Sequence, residues 1–592
     1  MNGERETMKL KYFSIFIFLF LLICCANAVS AAADDNVFEL DQSHDLVSSS
    51  VDEKLALGIG NPLSDSEDGG SGDEGNDGND IDPNDGTGEG NGTDGDGTDA
   101  GESGNGTDSG EGNGTSESGN GTDSGEGNGT SESGNGTGET TTSTTPTTPA
   151  VPSDTAYVST VSALNTALKE GKKTIYLTAN LKITKSFSIN RNVVIDGKGH
   201  YINAQNKTDI FRISGVTVTL RNIVLKNAKS TIGGAIYASG STLNLKKCNF
   251  TGNKVSDKGG AIYLYNGKLN IDGCTFQSNK ASLNGGAIYT STSKLIIKNS
   301  KFISNKVENG KSNGHGGAIH AYKKTSSITG TTFKTNYCLS TALKSHSKAT
   351  KYQFTGGAIY YNLGTSHNLT SCTFTSNKAS NHGGAVYGYK PDYLKINKCT
   401  FNTNKVAYED GGAITFNGKK LVIGNSKFYK NHAYEDGGVM DACSQNKNKV
   451  YITVSNCTFK ENTAYKGGGV FWMGVRSVFT IKNSKFISNK AGMAGALFAE
   501  STVAKITGCL FQSNQAKKVA SWTVKTKSGQ VLKHCGGVLR LQGKNVQFVK
   551  CTFKKNHATY GGVVFQTGGK LKMTSVKYSG NTAKSGPKIK KG

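Results

Sequence analysis
Proline is almost missing from most of this 592-residue chain: of seven prolines, only Pro391 lies between Ser153 and Gly586. A backbone with so few missing N–H donors suits extended ladders, which exclude interior proline. Arginine is scarce too, with five residues against 59 lysines from Val151 onward. Together with the absence of a base-reading motif, that argues against nucleic acid as the partner of a basic chain. The 12 cysteines include no C-x-x-C pair, which argues against a zinc site. After Tyr157 only 14 acids remain, so the carboxylate clusters that cleave polysaccharides have few places to arise. A long apolar run occurs once, at the N-terminus.

The net charge of +23 hides a split. Asp34 to Ala150 carries 28 acids and one base, a charge of −27, whereas Val151 to Gly592 carries +49. Residues 1–33 read as a signal peptide, with Arg5, Lys9 and Lys11 before an apolar run from Phe13 to Cys25 and a small-residue cleavage site at Ala26-Asn27-Ala28. If retained, the same segment is an N-terminal anchor and the chain's one route to a membrane. Residues 34–155 form an acidic Gly/Ser/Thr/Asn/Asp-rich linker with a Thr/Pro stalk, too poor in apolar area to offset its ordering entropy. It holds six Asn-Gly-Thr sequons, at Asn91, Asn105, Asn113, Asn120, Asn128 and Asn135, which are glycosylation acceptors on an exported chain.

From residue 230 two signatures alternate: Gly-Gly-Ala-Ile-Tyr, as at Gly233 to Tyr237, and Cys-x-Phe-x-x-Asn, as at Cys248, Phe250 and Asn253. The second glycine or its equivalent falls at 234, 260, 286, 317, 357, 384, 412, 438, 468, 495, 537 and 562. A period near 26 with two long insertions marks a solenoid. Runs such as Leu243-Asn-Leu245 and Leu394-Lys-Ile396 alternate with period two, and no helical period appears within the units. The fold expected is all-β, a right-handed parallel β-helix over residues 156–587. A short helix over Thr160–Lys169 caps it, with Val161, Leu164 and Leu168 inward, and a basic tail follows over 588–592. The residue after Gly-Gly-Ala (Ile236, Ile262 and onward, with Val470 in the ninth coil) and the phenylalanine column are interior stacks. The asparagine column reads as a hydrogen-bonded ladder at a turn of left-handed geometry.

Gly-Gly-Ala-Ile paired with Phe-x-x-Asn resembles the repeats of chlamydial polymorphic outer-membrane proteins. The whole arrangement, from Ala156 to Pro587, is similar to the adhesin-like surface proteins of methanogenic archaea. The resemblance implies the pectin lyase-like fold and an exported protein of the cell surface or wall. Its partner would be a cell-wall polymer, or a glycan or protein of a host or neighbouring cell. A polysaccharide lyase or hydrolase and a purely structural envelope protein stand as the alternatives.

Three sets of residues carry the expected sites. Ala407-Tyr-Glu409-Asp410 recurs one coil later as Ala433-Tyr-Glu435-Asp436, with Asp441 nearby; stacking brings Glu409 to Glu435 and Asp410 to Asp436. Such a cluster binds Ca2+, the only cofactor expected, unless Lys466 in the same slot of the next coil neutralises it. The residue after each buried aliphatic points outward, giving an aromatic platform of Tyr237, Tyr263, Tyr289, Tyr360 and Tyr387 that runs on to Phe471. The two insertions are basic loops for anionic ligands, one with Lys344, Lys348 and Lys351, the other with Trp522, Lys525 and Lys527. Seven cysteines in one register, from Cys248 to Cys551, read as buried free thiols whose parallel Cβ vectors disfavour bridges.

Overall fold
The structure is a computed structural model that describes residues 153–309, 312–341, 352–442, 448–517, 524–525 and 531–592. The signal segment, the linker up to residue 152 and all six sequons lie outside these residues.

Alternation along the sequence becomes alternation across a strand. In Thr242–Lys246, Leu243 and Leu245 are buried while Lys246 is exposed. Each repeat folds into a coil of four short strands, which in one repeat are Ile236–Ser239, Thr242–Lys246, Asn249–Thr251 and Lys254–Val255. Every strand pairs in parallel with its counterpart one coil on: Ile236 faces Ile262, Leu243 faces Leu269, Phe250 faces Phe276 and Lys254 faces Lys280. The stacks build parallel sheets of 29, 15 and 13 strands, and the wound result is a parallel β-helix. The largest sheet takes two strands per coil, which fuse where Leu497–Thr507 and Leu539–Val549 run unbroken.

Corners follow one rule. A residue of left-handed backbone is followed by one buried small or polar residue: Gly240 then Ser241, Lys247 then Cys248, Gly252 then Asn253. The asparagine ladder is present, but the left-handed position belongs to the residue before each asparagine (Ser278, Ser304, Thr335 and their equivalents), which corrects the expected placement. The asparagine is thereby freed to point inward. Asn404 Nδ2 donates to Asn431 Oδ1 at 3.0 Å and to the carbonyl of Phe374 at 3.0 Å, while the backbone N–H of Asn404 donates to the same Asn431 Oδ1. The same three bonds recur coil after coil from Asn253 to Asn556. They satisfy a buried amide that would otherwise cost about 1–3 kcal/mol per unmet group.

The cysteine column is likewise bonded rather than merely space-filling. Cys248 N–H donates to Cys274 Sγ at 3.3 Å, and Cys274 N–H donates to Ser300 Oγ at 3.1 Å, so thiol and hydroxyl are interchangeable acceptors. All seven thiols are free and buried. Between these columns run the phenylalanines, with rings stacked at 4.6 Å between Phe250 and Phe276 and at 4.8 Å between Phe333 and Phe374.

The paired glycines do different jobs. The first takes left-handed backbone, as at Gly259 with φ +71°. The second leaves no room for a side chain, since a Cβ on Gly260 would lie 1.9 Å from the carbonyl oxygen of Gly286. This identifies an error of register in the ninth coil. Within Gly467-Gly468-Gly469 it is Gly469 that takes the crowded slot, so Phe471 pairs with Met440 and Trp472 with Asp441. Phe471 is therefore interior and Trp472 outward, the reverse of the alternation expected with Gly468 as the second glycine.

Both boundaries move slightly. The first strand, Thr155–Val158, pairs with Thr174–Leu177. At the other end Ile589–Lys591 pairs with Val564–Gln566, so residues 588–592 are within the ladder and not a tail. The helix Val161–Lys169 is capped by Thr160, whose Oγ1 accepts from Ala163 N–H at 3.1 Å; it buries Leu164 and Ala167 and leaves Val161 exposed. Polar groups also enter the core. His367 occupies an inward slot that holds Ser326 one coil earlier and Leu394 one coil later, with Nδ1 2.9 Å from Ser326 Oγ and Nε2 2.8 Å from the carbonyl of Leu363.

Candidate functional site
The outward column of the first strand stack is only partly open. Tyr237, Tyr263 and Tyr289 are half-buried, with ring centroids 5.5 Å and 5.2 Å apart and planes within 15°. Parallel pairing in exact register forces this stacking. Arg212 takes the same slot one coil earlier, and a pocket of about 400 Å³ lined by Arg212, Ser230, Thr231, Ile232 and Tyr237 opens at that end of the ladder. On the adjoining sheet Lys229, Lys254, Lys280 and Lys306 stack in register. Lys229 and Lys254 are exposed, while Lys280 and Lys306 share Glu308 at 3.0 Å and 3.1 Å. Lysine at that repeat position was visible in the sequence, but only the pairing register shows that the residues form a column.

Beyond Tyr289 the column closes. Tyr360 is 4 % exposed and Tyr387 6 % exposed, so these two do not belong to an open platform. The turn before the paired glycines covers them: His315 stacks on Tyr360 at 4.4 Å, and the His382 ring lies 6.0 Å from that of Tyr387. His320, between Tyr289 and Tyr360 in the column, is 4 % exposed, and burial holds its imidazole well below the usual pKa, helped by His315 and Lys258.

Past the histidines the same turn becomes acidic. Asp410 Oδ1 accepts from Asp436 N–H at 2.9 Å, and Asp436 Oδ1 accepts from Gly467 N–H at 2.8 Å, so each aspartate is tied to the coil that follows. Asp410, Glu435 and Asp436 bring ligand atoms within 4.8 Å of one another. Glu409 does not join them. It pairs with His382 Nε2 at 2.7 Å and accepts from Asn381 Nδ2 at 3.2 Å, which removes it from the expected set of four. Glu435 pairs with Lys466, the neutralising contact foreseen from the repeat. Burial lowers the affinity of His382 for a proton, but the Glu409 carboxylate outweighs it and raises the pKa to about 9. Burial, with the negative charge of Glu435, raises Asp410 to about 6. Burial and Asp410 raise Asp441 to about 8. His382 was missed because nothing in one repeat says that its side chain reaches into the next.

The basic insertions give less. Lys344, Lys348, Lys351, Trp522 and Lys527 lie outside the described residues. Lys525 falls in the short strand Val524–Lys525, antiparallel to Val531–Leu532. Among the described residues no helix is long and apolar enough to cross a membrane.

Three family models match segments of the chain. A right-handed β-helix region covers residues 344–515, a pectate lyase-like adhesive domain covers 155–264, and the Chlamydia polymorphic membrane protein repeat covers 273–291. They agree with the handedness and the repeat class expected from the motifs. No curated protein and no solved structure matches the chain.

Proposed function
We propose that the chain is an adhesin-like surface protein that holds an acidic saccharide polymer of a cell envelope along the open stretch of its lateral face. The observation that carries this reading is the half-exposed ladder of Tyr237, Tyr263 and Tyr289, with the lysine column of Lys229 and Lys254 on the adjoining sheet. The outward edges and hydroxyls of the stacked tyrosines offer apolar contact and hydrogen bonds to sugars, ammonium groups meet carboxylate or sulfate, and both repeat along the axis at about 4.8 Å. The match of residues 155–264 to an adhesive domain covers the first two tyrosines, and the polymorphic membrane protein repeat covers the third. Both matches favour a surface location and adhesion over cleavage. The likeness to methanogen surface proteins belongs to the same proposal.

A glycan array read together with a reducing-sugar assay separates the alternatives. The expected outcome is binding to acidic glycans with no release of reducing ends. Cleavage would make the protein a lyase or hydrolase, and silence in both assays would leave a structural envelope protein.

A further inference from the structure
We infer that Asp410, Glu435, Asp436 and Asp441 form a divalent cation site suited to Ca2+ that ties successive coils together in the second half of the β-helix. Three observations converge. The first is geometric: ligand atoms of Asp410, Glu435 and Asp436 lie within 4.8 Å of one another, and a central ion at about 2.4 Å from each oxygen spans that spacing. Asp410 and Asp436 each use Oδ1 for a backbone N–H, which orients the carboxylate.

The second is Asp441. It is 7 % exposed, and no described residue donates a hydrogen bond to its carboxylate. Its slot points at the acidic turn: Thr415, the residue it pairs with one coil earlier, donates from Oγ1 to the carbonyl of Asp410 at 3.1 Å. Asp410 and His382 are among the charges that act on it.

The third is the balance of charge. His382 offsets Glu409 and Lys466 offsets Glu435. Asp410, Asp436 and Asp441 are left without an ion pair of their own among the described residues, in a half-enclosed turn. An all-oxygen set of this kind, with room for water, favours Ca2+ over zinc or other soft metals.

The site carries its own reporter. Trp472 pairs with Asp441 in the ladder. A Cβ on Gly467 would lie 3.1 Å from the Trp472 ring and 3.3 Å from Asp436 Oδ1, so the indole sits beside the carboxylates. Terbium luminescence excited through tryptophan therefore reads this site in the full chain. The expected result is saturable emission that Ca2+ displaces and that Trp472→Phe abolishes, while Ca2+ binding by Trp472→Phe at this site, read by calorimetry, is unchanged. Asp410→Asn/Asp436→Asn should weaken terbium binding at least tenfold with the β-type circular dichroism retained. Asp441→Asn should weaken it several-fold, and this variant decides the question if the double variant does not fold. No sensitised emission, or equal affinity in a folded carboxylate variant, overturns the inference.

Discussion
At the scale of single residues, the fold depends on polar side chains that face inward. The Asn404 side chain accepts from the backbone N–H of Asn377 and donates to the Phe374 carbonyl and to Asn431 Oδ1, so Asn404→Ala strands the Asn377 N–H and the Phe374 carbonyl. The expected loss is about 2–4 kcal/mol in urea unfolding, concentrated in the coils around it. Cys399→Ser is the control. Cys399 and Ser426 share a column, and Cys399 N–H already donates to Ser426 Oγ at 3.1 Å. A serine there should cost no more than about 1 kcal/mol. The core histidine has a pH signature. Burial lowers His367 to about 4, so the unfolded chain takes up a proton near pH 6.5 that the folded chain refuses. The stability held above that pH is lost as the pH falls toward 4, on the order of 2–3 kcal/mol. His367→Leu, which places the leucine seen at Leu394, should reduce the slope in that region of the stability–pH profile, where burial also lowers His315, His320 and His432. If its slope is unchanged, the burial argument fails.

At the scale of the coil, the account rests on why glycine comes in pairs. Ala494 holds left-handed backbone at φ +57° in the slot of the first glycine, so that coil accommodates alanine there. Elsewhere both slots are crowded, in different directions. A Cβ on Gly411 would sit 2.2 Å from Thr415 Oγ1 and 2.3 Å from the Ile414 carbonyl oxygen in its own turn, and one on Gly412 2.3 Å from the carbonyl oxygen of Gly438 in the next coil. Both Gly411→Ala and Gly412→Ala should therefore lower Tm, measured by calorimetry on each variant, the first by distorting its turn and the second by pushing neighbouring coils apart. Much of this level was legible in the sequence: the 26-residue period, the phenylalanine and asparagine stacks and the inward aliphatics all follow from spacing. Legibility ends where one residue stands for two possibilities. Gly467-Gly468-Gly469 offers two registers, and only the crowding between neighbouring coils chooses Gly469. The asparagine likewise looks like the turn residue, although the left-handed position falls on whatever precedes it. Position before an inward asparagine sets that geometry, while residue type there ranges over Ser278, Lys430 and Glu461.

At the scale of the whole molecule, the described region divides lengthwise into an open first stretch and a covered second one. The same turn carries Lys258 and Asn284 beside Tyr263 and Tyr289, then His315, Thr355 and His382 over Tyr360 and Tyr387. The outward tyrosines share one pattern in the sequence, yet only the first three reach solvent. Their fate depends on side chains from a neighbouring column, which no single repeat encodes. The candidate site was thus half legible: Asp410, Glu435 and Asp436 come together, Glu409 goes to His382, and the lysine column appeared only with the register. A ligand held by charge and by contact with the tyrosine edges should bind more weakly as salt rises to about 1 M, where the screening length is about 3 Å, with the edge contacts remaining. The most direct test of the central claim is calorimetric titration of an acidic polysaccharide into the full chain and into Tyr237→Ala/Tyr263→Ala/Tyr289→Ala. The account predicts saturable binding by the native chain, at least a tenfold loss in the folded variant, and no cleavage of the polymer in either. Equal affinity in the two proteins, or shortening of the polymer, would contradict it.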